Sequence, residues 1–225
     1  MNASTLPEAF LFDMDGTLSD TEVFWQRAEE RLVREYGTLP LVKRDEQLLG
    51  VAMDDSATFL QRHHGVQLEV AVIQELTIEY VMEQIEAGFE WRPGALELLA
   101  EARQYGIPRA LVTASPRIAA EAIVSMLPSG TFDLIVADED AARSKPAPDP
   151  YVTAARALGV DSARCVAFED SPTGVSSALS AGCFVVAIPV DAEIRDDERL
   201  VVLHSLSGVT LHDIAQQLTP ATPAS

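Results

Sequence analysis

The chain has 225 residues, 48% of them apolar and 23% charged, with a formal net charge of −19. That length and balance suit a soluble globular protein of one large or two modest domains, and the dispersed acidic excess argues against nucleic-acid binding. No apolar run spans a bilayer and MNASTLPEA carries no leader-like region, so a cytoplasmic protein without membrane contact is expected, with a monomer as the default.

The first predicted element is a short buried strand over residues 8–13, and it runs straight into Asp13 and Asp15 in the stretch FLFDMDGTL. Two carboxylates one residue apart raise each other's pKa unless a cation or a shared proton relieves them. From Thr21 to about Gly88 the pattern is helical. Val23, Trp25, Ala28, Leu32 and Tyr36 recur near helical spacing, and Glu69–Ala87 forms a second long amphipathic stretch. Shorter helical segments are expected around Asp45–Gly50 and Asp54–Gly65.

After Trp91-Arg92-Pro93-Gly94 the chain alternates between helices and short apolar strands. Helix Ala95–Tyr105 leads to strand Ile107–Thr113, helix Pro116–Leu127 to Phe132–Ala137, and helix Pro150–Leu158 to Arg164–Phe168. Helix Pro172–Ala181 then precedes Phe184–Pro189. This alternation predicts βαβ units and a parallel sheet covered on both faces. The simplest assembly is an α/β core built from both chain ends, 1–19 and 90–225, with a helical insertion over 20–89. Cys165 and Cys183 have no partner-like spacing and read as buried free thiols. The ending TPATPAS reads as a frayed tail.

Three strand-to-helix junctions share one local grammar: Ser115-Pro116, Asp149-Pro150 and Ser171-Pro172 each place a capping residue before proline. In a parallel sheet these junctions lie on the same edge as Asp13, where open α/β folds bind ligands and where free helix N–H groups suit an anion. Glu169-Asp170 adds acidic oxygens at another strand end, and such a cluster suits a hard divalent cation, Mg2+ above all. Gly16 lets the chain turn sharply beside the aspartates. Lys145, one of two lysines among sixteen basic residues, sits in a Pro-flanked loop from which it could bridge Asp13 and a phosphate.

In order, DMDGTL, a strand ending at Thr113, Lys145 in SKPAPDPY, and FEDSPTGVSSALSAG resemble the four motifs of the haloacid dehalogenase superfamily. The resemblance covers Phe10 to about Gly182. It points to the phosphatase and β-phosphoglucomutase-like branch, with a Rossmann-like core and a helical cap inserted after the first motif. It implies Asp13 as a nucleophile forming an aspartyl-phosphate, and Asp15 as general acid and base. It also implies Mg2+ held by the Asp13 carboxylate, the Asp15 main-chain carbonyl and Asp170, with Glu169 helping directly or through water. Thr113, the Ala114 N–H and Lys145 would hold phosphate oxygens.

Within the family, dehalogenases usually lack the second aspartate of the first motif, and Asp15 is present. Mutase relatives carry a His shortly after that motif and an Arg after a Gly-Val. Here those places read Phe24-Trp25 and Gly50-Val51-Ala52-Met53. The expectation is therefore hydrolysis of a small phosphorylated metabolite such as a sugar phosphate, ahead of a mutase or a non-catalytic phosphate-binding protein. Trp25, Gly50 and Met53 are candidate specificity positions. His63-His64 reads as a solvent-facing helix end, since no third metal ligand has suitable spacing.

Overall fold

The computed structural model describes residues 6–39, 52–189, 194 and 196–218. Its first strand, β1 (Ala9–Phe12), is followed by three helices, α1 (Glu22–Tyr36), α2 (Met53–His64) and α3 (Val70–Ala87). Helix α4 (Ala95–Gln104) then leads to β2 (Arg109–Val112), and α5 (Arg117–Ser125) to β3 (Leu134–Val136). Helix α6 (Asp149–Leu158) leads to β4 (Cys165–Glu169), and α7 (Pro172–Ser180) to β5 (Phe184–Ala187). Strand β6 (Leu200–Val202) and helix α8 (Leu211–Gln217) complete the described elements.

The strands form one parallel sheet in the order β3-β2-β1-β4-β5-β6. Alternation along each strand divides the core. Phe10, Phe12, Leu111, Val166, Phe168 and Val186 face an apolar layer that includes α4, α5 and α8 and runs on into α1–α3. Ala9, Leu11, Ala110, Val112, Ala167, Val185 and Ala187 face α6 and α7. Both faces of the central strands are covered, so these strands read as nearly continuous apolar runs. Cys165 and Cys183 lie free and buried on the α6/α7 face. Burial pushes both thiols up to about 12, which keeps them protonated and unreactive at neutral pH.

Between β1 and β2 the chain leaves the sheet, and α3 packs against both α1 and α2. The two segments joining this helical insert to the core are zipped together. Ser19 bridges Trp91, the Arg92 N–H donates to the Leu18 carbonyl at 2.8 Å, and the Asp20 N–H donates to the Glu90 carbonyl at 2.9 Å. No helix among the described residues is long and apolar enough to cross a membrane.

Several local expectations are corrected. Helix α5 starts at Arg117 with Pro116 as its N-cap, so Ser115 does not cap it. Helix α6 starts at Asp149 with Pro148 as N-cap, so Asp149 is its first residue and not its cap. Ser171 does cap α7, its hydroxyl accepting the Gly174 N–H at 3.0 Å. Strand β4 runs one residue further than predicted and takes in Glu169. Strand β6 and helix α8 were not anticipated. His63 is exposed and stacks on Phe59, whereas His64 is buried, so the pair is not a solvent-facing end. Gly50, and the helix expected around Asp45–Gly50, lie outside the described residues.

Candidate active site

The sheet order reverses at β1: the chain builds outward through β2 and β3, then returns to the other side of β1 with β4. The carboxyl ends of β1 and β4 therefore border the crevice in which open α/β sheets hold ligands. Phe12 pairs in register with Phe168, and their rings stack at 4.4 Å with an interplanar angle of 9°. The next residues on the two strands are Asp13 and Glu169, and the Asp13 N–H donates to the Phe168 carbonyl at 3.0 Å. The aromatic pair thus fixes two backbones whose next side chains are carboxylates.

Lys145 ties the two together. Its ammonium donates to Asp13 Oδ1 at 2.8 Å, Glu169 Oε1 at 2.7 Å and the Val112 carbonyl at 3.0 Å. It is only 4% exposed. Burial alone would discharge it, but the Asp13 and Glu169 carboxylates overcome that penalty and raise its pKa. Lys145 is a buried cation with all three of its donor hydrogens used.

Glu169 is fully buried, and its Oε1 also accepts the hydroxyl of the buried Tyr151. Its other oxygen, Oε2, is buried without a hydrogen-bond partner. Oxygens of Asp13, Glu169 and Asp170 all lie within 4.8 Å of one another. Three carboxylates against the one ammonium leave an excess of negative charge. Burial, opposed by Lys145, pushes Glu169 up to about 7, and burial with the Asp13 and Glu169 charges pushes Asp170 well above its usual range.

These features fit a divalent cation. The donor set is hard oxygen, one buried oxygen lacks a partner, and the space around the cluster is kept clear by glycine. A Cβ on Gly16, whose φ is +84°, would meet Asp170 Oδ2 at 2.0 Å. One on Gly174 would meet the Glu169 carboxyl at 2.0–2.1 Å. Gly174 lies in the first turn of α7, where Ala would ordinarily favour the helix by ~1 kcal/mol. Overpacking costs ~1–3 kcal/mol, so the clash prevails. If the cluster binds Mg2+, the ion should raise the melting temperature of the unmodified protein, and Gly174→Ala is expected to displace Glu169 and abolish that rise. Calorimetric scans with Mg2+ and with EDTA check this.

Asp15 occupies a separate environment. Its Oδ1 accepts the Thr21 hydroxyl at 2.6 Å and the Trp25 indole N–H at 3.1 Å, and its Oδ2 accepts the Ser115 hydroxyl at 2.6 Å. Burial raises its pKa, the Asp13 charge adds to that, and these hydrogen bonds oppose it. The carboxyl of Asp15 is not one of the three that cluster. Thr113 is buried at the end of β2, and its Oγ1 accepts the Ser115 N–H at 3.0 Å. Ala114, between them, is half-buried.

The structure thus brings Asp13, Asp15, Lys145, Glu169 and Asp170 to one edge, with Thr113 and Ala114 on the neighbouring strand end. Trp25 joins them through Asp15. Met53 is the half-buried first residue of α2. Sequence reasoning did not single out Thr21, Ser115 or Tyr151. Thr21 and Trp25 are four residues apart and so share one helical face, which was a readable signal. Ser115 was readable only as a cap, and nothing in the sequence marked Tyr151 beyond its apolar helix position.

Comparison with known proteins agrees with this geometry. Residues 7–182 match the family model of the haloacid dehalogenase-like hydrolases. Hexitol phosphatase A of Escherichia coli K12 is 34% identical over 91% of this chain and 94% of its own. The crystal structure of CbbY from Rhodobacter sphaeroides with xylulose-1,5-bisphosphate superposes with a TM-score of 0.82 at 29% identity, covering 92% of this chain and 99% of that one. A β-phosphoglucomutase from Clostridium difficile shares the fold, with a TM-score of 0.83 at 22% identity over 95% and 97% of the two chains. The chain belongs to the haloacid dehalogenase-like hydrolases.

Proposed function

We propose that this protein is a Mg2+-dependent phosphatase that hydrolyses a small phosphate monoester through a phosphoryl group carried on Asp13. The observation that carries the reading is the division between two adjacent aspartates. Asp13 is paired with the buried Lys145 ammonium and lies in the acidic cluster. Asp15 is set apart among hydroxyls and an indole N–H, with its pKa raised by burial. The first suits a nucleophile and the second a group that exchanges a proton.

A carboxylate oxygen of Asp13 attacks phosphorus as the bond to the leaving oxygen breaks, and Asp15 delivers its proton to that oxygen. Asp15 then accepts a proton from the water that hydrolyses the acyl phosphate and restores Asp13. The Thr113 hydroxyl, the Ala114 N–H and Lys145, once it releases the Val112 carbonyl, hold the transferring oxygens. The Thr113 oxygen accepts from Ser115, which leaves its own hydrogen for phosphate. Asp13, Asp170, the Asp15 main-chain carbonyl and Glu169, directly or through water, would hold Mg2+, whose charge offsets that of the phosphate.

Residues 20–89 are read as a cap over a core of 1–19 and 90–225, hinged where Ser19 and Asp20 pair with Glu90–Arg92. Hexitol phosphatase A and CbbY direct the substrate class toward sugar and polyol phosphates. The free buried thiols accord with a reducing cytoplasm. Simple hydrolysis is favoured over a mutase because Trp25 supplies Asp15 with a neutral N–H where a mutase's His would stand. A non-catalytic role is disfavoured by the complete set of Asp13, Asp15, Lys145 and Asp170.

The test is phosphate release from p-nitrophenyl phosphate, then from a panel of hexitol and hexose phosphates. Turnover with Mg2+ and none with EDTA is expected. No release from any of these with Mg2+ present would contradict the reading.

A further inference from the structure

Asp15 receives three hydrogen bonds from two parts of the chain, and they are not equivalent. Thr21, the N-cap of α1, and Trp25, one turn later on the same face, both donate to Oδ1, at 2.6 and 3.1 Å. Ser115, beyond β2, donates to Oδ2 at 2.6 Å. An indole N–H can only donate, whereas a hydroxyl can donate or accept. The oxygen facing an indole N–H is therefore the poorer site for a proton, while one facing only a serine hydroxyl can carry a proton that the serine then accepts.

We propose that Trp25 is a positioning residue for phosphoryl transfer: with Thr21 it keeps Asp15 Oδ1 unprotonated and confines the transferable proton to Oδ2, beside Ser115. As the Asp13–phosphorus bond forms and the leaving oxygen departs, the proton moves from Oδ2 to that oxygen. Losing the indole N–H lets the carboxyl rotate or protonate on Oδ1, where the proton is turned toward α1. Trp25 sits on the helical insert and Asp15 on the core, so the insert holds the proton donor in place. Half-buried Trp25 also packs against the apolar core, and packing alone would make its ring dispensable to proton transfer. The proposal rests on Asp15 acting as the acid, and the experiment separates the two claims.

Leaving groups differ in how much they need a proton. p-Nitrophenolate departs readily as an anion, whereas phenolate, the anion of a group with a pKa of about 10, depends more on the acid. The measurement is kcat/KM for p-nitrophenyl phosphate and phenyl phosphate, with Mg2+, in the unmodified protein, Trp25→Phe, Thr21→Val and Asp15→Asn. Because kcat/KM reports steps only up to departure of the phenol, the later hydrolysis does not enter.

Trp25→Phe is expected to lower the phenyl phosphate value about tenfold more than the p-nitrophenyl value, the effect of one lost hydrogen bond to this group. Thr21→Val acts on the same oxygen and should move the ratio in the same direction, which keeps the test open if Trp25→Phe folds poorly. Asp15→Asn should move it furthest. An unchanged ratio in Trp25→Phe and Thr21→Val beside a shifted one in Asp15→Asn overturns the positioning role alone. An unchanged ratio in Asp15→Asn overturns the acid assignment and the inference with it.

Discussion

Asp13→Asn is expected to abolish turnover of every phosphate ester, by on the order of 10^4-fold or more, while leaving the fold intact. The amide has nearly the shape of the carboxylate but lacks the charge and nucleophilicity needed to attack phosphorus. Two opposing effects hold stability near its original value. The substitution removes a carboxylate that repels Glu169 and Asp170, and it weakens the 2.8 Å contact to Lys145. Stopped turnover with an unchanged melting temperature, measured on one preparation, separates lost chemistry from lost structure. Turnover at the original rate would remove Asp13 from the nucleophile's role.

The second large effect is expected at Lys145. Lys145→Met removes the ammonium between Asp13 and Glu169 and leaves both carboxylates buried without it, together with a Val112 carbonyl that loses a donor. Breaking such a buried arrangement costs ~3–5 kcal/mol, far more than an exposed lysine is worth. Urea denaturation in EDTA should show that loss. The same side chain holds a phosphate oxygen in the proposed mechanism, so kcat/KM should fall about 10^3-fold even where Mg2+ restores part of the stability. A loss under 1 kcal/mol would mean that Lys145 is not the counter-charge of this cluster.

Much of the fold could be read before the structure was known. The strand and helix alternation after Trp91 follows from apolar runs too short to be helices and helix starts marked by proline. The four strands predicted this way, and the one predicted over residues 8–13, all occur in the parallel sheet. Strand β6 escaped because it has only three residues at a sheet edge, partly exposed, and no polar alternation marks it. Helix α8 is seven residues long, too short for periodicity to register, although Thr210 and Asp213 form a capping box that was readable.

At the site, the pairing of Asp13, Lys145 and the Glu169-Asp170 step was legible because each sits at a strand end or in a rigid loop on one edge. Which atoms they use was not. Ser115 shows why: before a proline it reads as a cap, yet its hydroxyl goes to Asp15, 100 residues away in sequence. Tertiary hydrogen bonds of this kind leave no local pattern. The same holds for Tyr151, whose hydroxyl orients Glu169 from within a face that reads as apolar core.

The central claim is that phosphate passes through Asp13, and chemical trapping tests it most directly. The protein is quenched during steady-state turnover of p-nitrophenyl phosphate with Mg2+, then treated with borohydride, which reduces an acyl phosphate to an alcohol but leaves a free carboxylate. Peptide mass spectrometry should find homoserine at position 13, dependent on substrate and Mg2+ and nowhere else in the chain. Reduction at a different residue, or none under conditions of rapid turnover, would contradict the account.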